Sequence, residues 1–215
     1  MWYFWEGEKG NMLKKKALII PLAIVGVLVV VMAVLGVKFF ILDANKVEIS
    51  ETFEDIPWGT TADQAKRVLQ GEGYNVLDRR MVVFEIEEYG GYEGIKGLGT
   101  FPGAQGDKEL VDILLMFREE DMGEKELEKF AKAVKKELDS MFDKKVSAKQ
   151  METILKEGYA QVHPGEELKN YNDVEVVYYG DVSCIQYRYV EGVELYIDYM
   201  PLDSEYAQEM IKYAK

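Results

Sequence analysis

The feature that most constrains this chain is an uninterrupted apolar run near its N-terminus. Residues Ala17–Val37 provide 21 positions without a charged or strongly polar side chain, and 18 of them are hydrophobic. At about 1.5 Å of rise per residue, a helix of this length spans roughly 31 Å, which is close to the hydrocarbon thickness of a bilayer. A helix buried in a water-soluble core normally keeps a polar stripe, and this run has none. The run therefore predicts a transmembrane helix.

The charges on either side of the run predict its orientation. Lys14–Lys16 directly precede it, whereas only Lys38 follows closely before the acidic Asp43. The positive-inside rule then places residues 1–16 in the cytoplasm as a tail and everything after the helix outside the cell membrane. A cleaved signal peptide is the alternative, but its apolar core is usually only about 7–15 residues long. We expect a single-pass membrane protein with an extracytoplasmic C-terminal part.

Composition narrows the classes of partner and cofactor. The 215 residues include 26 basic and 39 acidic side chains, of which four basic and two acidic ones precede residue 38, so the remainder carries a net charge of −15. So acidic a surface is expected to repel nucleic acid. The single cysteine excludes an internal disulfide framework and a cysteine-rich zinc site, and there is only one histidine. We therefore predict no cofactor and no metal.

Periodicity in the acidic part predicts helices and antiparallel strands of an α+β fold. A capping box, Thr61 with Gln64, opens the first helix, which ends at Gly71 or Gly73, and a second box at Ser147 and Gln150 opens another that stops before Gly158. Two further helices are predicted at Glu124–Phe142 and from Asp203 or Ser204 onward. Strands are predicted at Val82–Glu87, Gly94–Phe101, Leu110–Arg118, Val174–Tyr179, Ser183–Val190 and Val193–Met200.

These elements divide the chain into five regions. They are a cytoplasmic tail at 1–16, a transmembrane helix at 17–37, a stalk at 38–55, and α+β units at 56–145 and 146–215. The two capping boxes open similar stretches, each followed by strands that lead to a helix. An internal duplication is therefore one reading of the two units, and the general likeness of helix starts is the other.

One short segment resembles a known class of exported bacterial domains. In Ile56–Ala65 the pair Trp58-Gly59 precedes a capped helix, and strands follow. This resembles the small outer-membrane-assembly lipoproteins of the SmpA/OmlA type and the β-lactamase-inhibitor-like fold. The resemblance implies a compact helix-plus-sheet module that binds other proteins. The lipid-anchoring cysteine of those lipoproteins is absent here, and no inhibitory loop can be identified.

Three groups of residues are candidates for chemistry. Gly94–Gly99 has glycines in the order G-x-x-G-x-G, the reverse of a dinucleotide fingerprint, and a strand rather than a helix comes next. Cys184 is expected in the middle of a strand and His163 in a polar loop, so nothing places them together as a nucleophile and its base. Carboxylates such as those of Glu85, Glu87, Glu88 and Glu93 could serve a hydrolase, but chance pairs are inevitable in so acidic a chain.

Tyrosines are concentrated in the last third of the chain and suit recognition surfaces, because they offer contact area at little cost in entropy. We expect a binding surface on the sheet of the second half, formed by Tyr178, Tyr187, Tyr189 and Tyr196, with core packing as the alternative. The sequence thus favours a non-catalytic, membrane-anchored binding module with a protein partner in the cell envelope. The rival is an envelope enzyme of the hydrolase type that uses acidic residues.

Overall fold

Eight β-strands in one antiparallel sheet form the centre of the structure. The computed structural model describes residues 47–78, 81–166 and 173–214. The predicted tail, the predicted transmembrane helix and the first part of the predicted stalk lie outside these ranges. Within them, no helix has the length and apolar character needed to cross a membrane. The strands are β1 Val76–Asp78, β2 Val82–Tyr89, β3 Tyr92–Thr100, β4 Ile113–Arg118, β5 Lys144–Val146, β6 Asp173–Tyr179, β7 Ser183–Val190 and β8 Glu194–Pro201.

The sheet has the strand order β1-β2-β3-β4-β8-β7-β6-β5, and every neighbouring pair is antiparallel. Strands β4 and β8 pair from Ile113 opposite Tyr199 to Arg118 opposite Glu194. Among the strands that the structure describes, this pairing joins the half β1–β4 to the half β5–β8. Outward from this joint, the strands follow as β4-β3-β2-β1 in one half and as β8-β7-β6-β5 in the other. A duplication would give this same order in both halves. The expected α+β class with antiparallel strands is confirmed.

Five helices accompany the sheet in the described ranges: α1 Ala62–Gly71, α2 Glu119–Met122, α3 Glu124–Met141, α4 Ala148–Val162 and α5 Glu205–Met210. Both predicted capping boxes are confirmed. The backbone N–H of Thr61 donates to Oε1 of Gln64 at 3.0 Å, and the N–H of Ser147 donates to Oε1 of Gln150 at 3.0 Å. Each box supplies an acceptor to an amide at the helix start that has no partner within the helix.

The helices leave the two faces of the sheet unequally covered. Helices α1 and α3 pack their apolar sides on one face, which we call the helix-covered face. Its buried strand residues include Phe84, Ile86, Ile113, Leu115, Phe117, Tyr178, Ile185, Tyr187, Leu195, Ile197 and Tyr199. Helices α4 and α5 reach the other face near β5–β7, where Met151, Ala207 and Met210 pack with Val146, Val177, Tyr179, Cys184 and Met200. The rest of that second face, from β2 across to β8, we call the open face.

Two glycines in β3 let aromatic rings of the core lie directly against the strand. A Cβ on Gly99 would lie 2.0 Å from the ring of Phe84, and one on Gly97 would lie 2.4 Å from the ring of Phe117. The strand predicted at Gly94–Phe101 lies within β3 and is irregular at its start, because the register with β2 shifts between Ile86 and Glu88, and Gly94 has a φ of 75°. Gly97 and Gly99, further along the strand, provide room for packing instead.

Several predicted boundaries need correction. The stalk prediction is wrong for the described residues from 47 to 55, since Val47 and Phe53 are buried in the core. Helix α4 continues through Gly158 to Val162 instead of stopping before it. The strand predicted at Leu110–Arg118 begins at Ile113, so Val111 is 56% exposed instead of sharing a face with Ile113, Leu115 and Phe117. The three-residue strands β1 and β5 were not predicted, because neither is long enough to show a period.

Candidate functional site

An apolar patch occupies the middle of the open face. Leu98 on β3 lies opposite Met116 on β4, and Met116 lies opposite Tyr196 on β8. Leu114 follows two residues before Met116 on the same side of β4, because side chains alternate along a strand. Leu98 is 39% exposed, the other three are half-buried, and none belongs to either core cluster. These four apolar side chains thus form a continuous row. No helix of the described structure covers this row to make it part of a core.

Carboxylates border this patch on the β2 side. Glu85 lies opposite Leu98 and accepts a hydrogen bond from Nδ2 of Asn75 at 2.7 Å, and Glu87 is exposed two residues further on. Lys96, on β3, is a cation on this side and is also exposed. The β2 side of the patch is therefore more acidic than basic, in keeping with the charge of the whole domain.

Two aspartates lie at the joint between the halves of the sheet. Asp198 on β8 is opposite Leu114, and Asp112 directly precedes β4, two residues before Leu114. The Oδ1 atom of each is buried and has no hydrogen-bond partner among the described residues. Burial raises the pKa of Asp112 to about 6. Burial, and then repulsion from Asp112, raises the pKa of Asp198 to about 7.

The structure does not bring the four predicted tyrosines together on one exposed surface. Tyr178 and Tyr187 are in the core of the helix-covered face, at 0% and 2% exposure. Their hydroxyls donate to Oδ1 of Asp139 at 3.1 Å and to the carbonyl of Ala131 at 3.2 Å. For these two residues, core packing replaces the predicted contact role.

The other two predicted tyrosines lie on opposite faces. Tyr189 packs partly against the core of the helix-covered face, and its hydroxyl accepts from the N–H of Gly192 at 3.3 Å. Tyr196 lies on the open face, with the guanidinium carbon of Arg188 5.9 Å from its ring centroid. Tyr196 alone of the four thus contributes to the apolar patch.

The predicted separation of Cys184 and His163 is found. Cys184 is fully buried under α4 and α5, and burial raises the pKa of its thiol to about 12. His163 is exposed at the end of α4, where its ring stacks on Tyr159 at 4.5 Å. A buried thiol and an exposed imidazole cannot form a nucleophile–base pair. In the described ranges, no group of three histidine, cysteine or carboxylate side chains is arranged to hold a metal ion.

A cavity of about 370 Å³ lies beside β2, away from the two aspartates. Its carboxylates are those of Glu54, Glu72, Glu85, Glu87 and Glu88. The hydroxyl of Tyr74 donates to Oε1 of Glu54 at 2.5 Å, and burial and this hydrogen bond raise the pKa of Tyr74 well above its ordinary value. Neither Asp112 nor Asp198 lines this cavity, so the open carboxylate cluster and the aspartates with raised pKa are separate features.

The sequence carries a signal for the patch that a helical or strand period alone does not reveal. Ile113–Phe117 is apolar at every position, so Leu114 and Met116 face away from the core that Ile113, Leu115 and Phe117 fill. An apolar residue on the second face of an antiparallel strand indicates either a second core or a contact surface. Asp198, an acid between the apolar Ile197 and Tyr199 of β8, lies on the same face.

Comparisons with known proteins add little to this geometry. No family model matches the chain, and no curated protein matches it significantly. Among solved structures, a crystal structure of a GTP-binding regulator from Thermotoga maritima matches with 18% sequence identity and a TM-score of 0.33. That match covers 77% of this chain and 93% of the other. A similarity of that size supports no conclusion about the fold or the activity of this chain.

Proposed function

We propose that this chain is a non-catalytic binding protein, tethered by a transmembrane helix at residues 17–37, which docks a protein partner on the open face of its sheet. The observation that carries this proposal is the apolar patch of Leu98, Leu114, Met116 and Tyr196. Partly exposed apolar side chains in a continuous group are costly for a monomer in water and are typical of a contact surface. A partner that covered the patch would remove this cost.

The charges around the patch indicate the chemistry of the partner. Glu85 and Glu87 border it on one side, and the two aspartates lie at the joint, whereas Lys96 is the one nearby cation that no described acid neutralises through an ion pair. A complementary surface would carry an apolar or aromatic centre with lysine or arginine side chains at its edge. We therefore favour a folded protein with a basic contact surface over nucleic acid or an anionic lipid surface, which the carboxylates would repel.

The sequence supports the location of this binding module in the cell envelope. The apolar run and the lysines before it predict that residues 38–215 lie outside the cell membrane. A tether of this kind raises the local concentration of the module near other membrane-bound proteins. The proposed partner is therefore another envelope component.

The rival proposal, a hydrolase that uses acidic residues, has less support. Such an enzyme needs an acid with a raised pKa and a second carboxylate together beside its substrate. Here the cavity beside β2 holds one group of carboxylates, and Asp112 and Asp198 lie elsewhere on the sheet. No observation places both features in one cleft of the described structure.

Site-specific photocrosslinking in native membranes tests the docking proposal. A photoreactive amino acid at Met116 in the full chain should capture one protein, and the same group at Val162 should not. Val162 is the matched control, because it is an apolar residue at 74% exposure on α4, outside the open face. With the captured protein purified, Met116→Glu should weaken its binding at least about tenfold, as loss of a central contact does. Val162→Glu should leave binding unchanged.

The captured protein must also fit the proposed chemistry. Its crosslinked segment should be apolar with neighbouring lysine or arginine, and binding should weaken as salt increases. Equal capture from both positions, no capture at Met116, or binding unaffected by Met116→Glu would contradict the proposal.

A further inference from the structure

Asp198 lies within the pairing of β4 with β8, and Asp112 lies directly beside it. In the described structure β4 and β8 provide the joint between the two halves of the sheet, with six register pairs from Ile113–Tyr199 to Arg118–Glu194. Asp198 is within the joint, and Asp112 is at its end. Any repulsion between these two carboxylates therefore acts directly across the contact between the halves.

No donor from the described residues compensates for the burial of one oxygen of each carboxyl. The Oδ1 atom of each is buried and accepts no hydrogen bond from a described residue. The register partner of Asp198 on β7 is Gln186, whose side-chain amide instead donates to Oε1 of Glu175 at 2.5 Å. An ionised carboxylate in such a position has lost water at one oxygen without gaining a donor there, which favours the protonated form.

The groups that surround Asp198 are acidic or neutral. Cys184 on β7 and Tyr206 on α5 interact electrostatically with it, and Glu175 on β6 lies against Tyr206. The nearest arginines on the open face are engaged by other acids: Arg118 donates to Glu120 at 3.3 Å, and Arg188 donates to Asp173 at 2.6 Å. None of these interactions offsets a second negative charge at the joint.

We propose that Asp112 and Asp198 make the joint between the two halves of the sheet sensitive to pH. When at least one of the two carboxyls holds a proton, β4 and β8 remain closely paired. When both are ionised, their repulsion loosens this pairing, so the central strands open more often. The proposal does not depend on the docking of a partner, since it concerns the domain alone.

The supporting pKa directions fit this geometry. Both values are raised, to about 6 and about 7, so the second ionisation falls near neutral pH. His163, the one histidine of the sequence, is exposed at the end of α4 and belongs to neither strand. A pH effect confined to β4 and β8 would therefore come from the aspartates.

Native-state hydrogen exchange of the purified full-length chain in a non-ionic detergent tests the proposal. After correction for the intrinsic exchange rate, protection of β4 and β8 amides in the natural chain should fall about tenfold between about pH 5 and about pH 8, the factor that one pKa unit produces. Asp198→Asn and Asp112→Asn, made separately, should each remove most of this change. Asp203→Asn, an exposed acid next to α5, is the matched control and should behave like the natural chain.

Two results would overturn the inference. One is a natural chain whose β4 and β8 protection does not change with pH, and the other is an unaltered change in both asparagine variants. Should either variant fail to fold, carbon-13 NMR of the natural chain decides the question. Two aspartate carboxyls titrating near neutral pH support the proposal, and titration of every aspartate below about pH 5 refutes it.

Discussion

Replacing Asp198 by asparagine should stabilise the domain above neutral pH and remove most of the pH dependence of its stability. Asparagine keeps the size of the side chain and cannot ionise. The pKa of Asp198 rises from 3.8 to about 7 in the folded chain, and each pKa unit corresponds to about 1.4 kcal/mol. The full shift would lower the free energy of unfolding by at most about 4 kcal/mol. Because water reaches this partly exposed carboxyl, we expect a loss of about 2 kcal/mol instead.

The sign of the effect follows from proton binding. Because the pKa is higher in the folded than in the unfolded chain, the folded state binds more protons between about pH 4 and about pH 7. The free energy of unfolding should therefore fall as the pH rises through this window and then level off. In the Asp198→Asn variant the decrease should be smaller, since only Asp112 still titrates there.

Urea unfolding of the full-length chain, followed by the near-ultraviolet circular dichroism of its buried tyrosines, measures this free energy at about pH 4 and about pH 8. At the higher pH, Asp198→Asn should be more stable than the natural chain by about 2 kcal/mol, and at the lower pH the two should be similar. Asp203→Asn should follow the natural chain at both. A variant that is less stable than the natural chain at high pH would refute the reasoning, because it would mean that the charged carboxylate has a favourable partner.

Three further substitutions and one chemical modification test packing and helix capping. Gly99→Ala should lower the free energy of unfolding by about 2–4 kcal/mol in urea titrations, because its methyl group would overlap the ring of Phe84; Gly158→Ala, which meets nothing within 4 Å in helix α4, should instead raise it by up to about 1 kcal/mol. Thr61→Ala should cost about 1 kcal/mol through loss of the capping box, measured by thermal unfolding, and an unchanged melting temperature would argue against the box. Cys184 should resist a thiol reagent in the folded chain and react after denaturation, since it is buried and its thiol pKa is raised to about 12; rapid reaction of the folded chain would contradict this burial.

Local signals predicted most of the elements correctly. The capping residues Thr61 and Ser147 identify helix starts because their side chains satisfy amides that a helix leaves unpaired, and this requires only a few neighbouring residues. The apolar period of α3 likewise identifies the side that packs on the sheet. Such features depend on short-range geometry, so they can be read from a single sequence.

The candidate site could not be found in the same way, because it depends on which strands become neighbours. Leu98, Met116 and Tyr196 lie far apart in the chain and meet only through the pairing of β3 with β4 and of β4 with β8. The tyrosine prediction failed for Tyr178 and Tyr187 for a related reason: alternation shows that two residues share a face, but not which face a helix covers. Long-range pairing decides both questions.

The strands at the two edges of the sheet bear on how this protein can associate. β1 and β5 have three residues each, and β5 begins with Lys144 and Lys145. Short, charged edges offer few free backbone groups to an incoming strand. The domain is therefore poorly suited to extending its sheet with a strand from a peptide or from a second copy, and it is protected against the edge-to-edge growth that leads to fibres. For a domain held at a membrane by the proposed tether, such protection would keep neighbouring copies from pairing edge to edge.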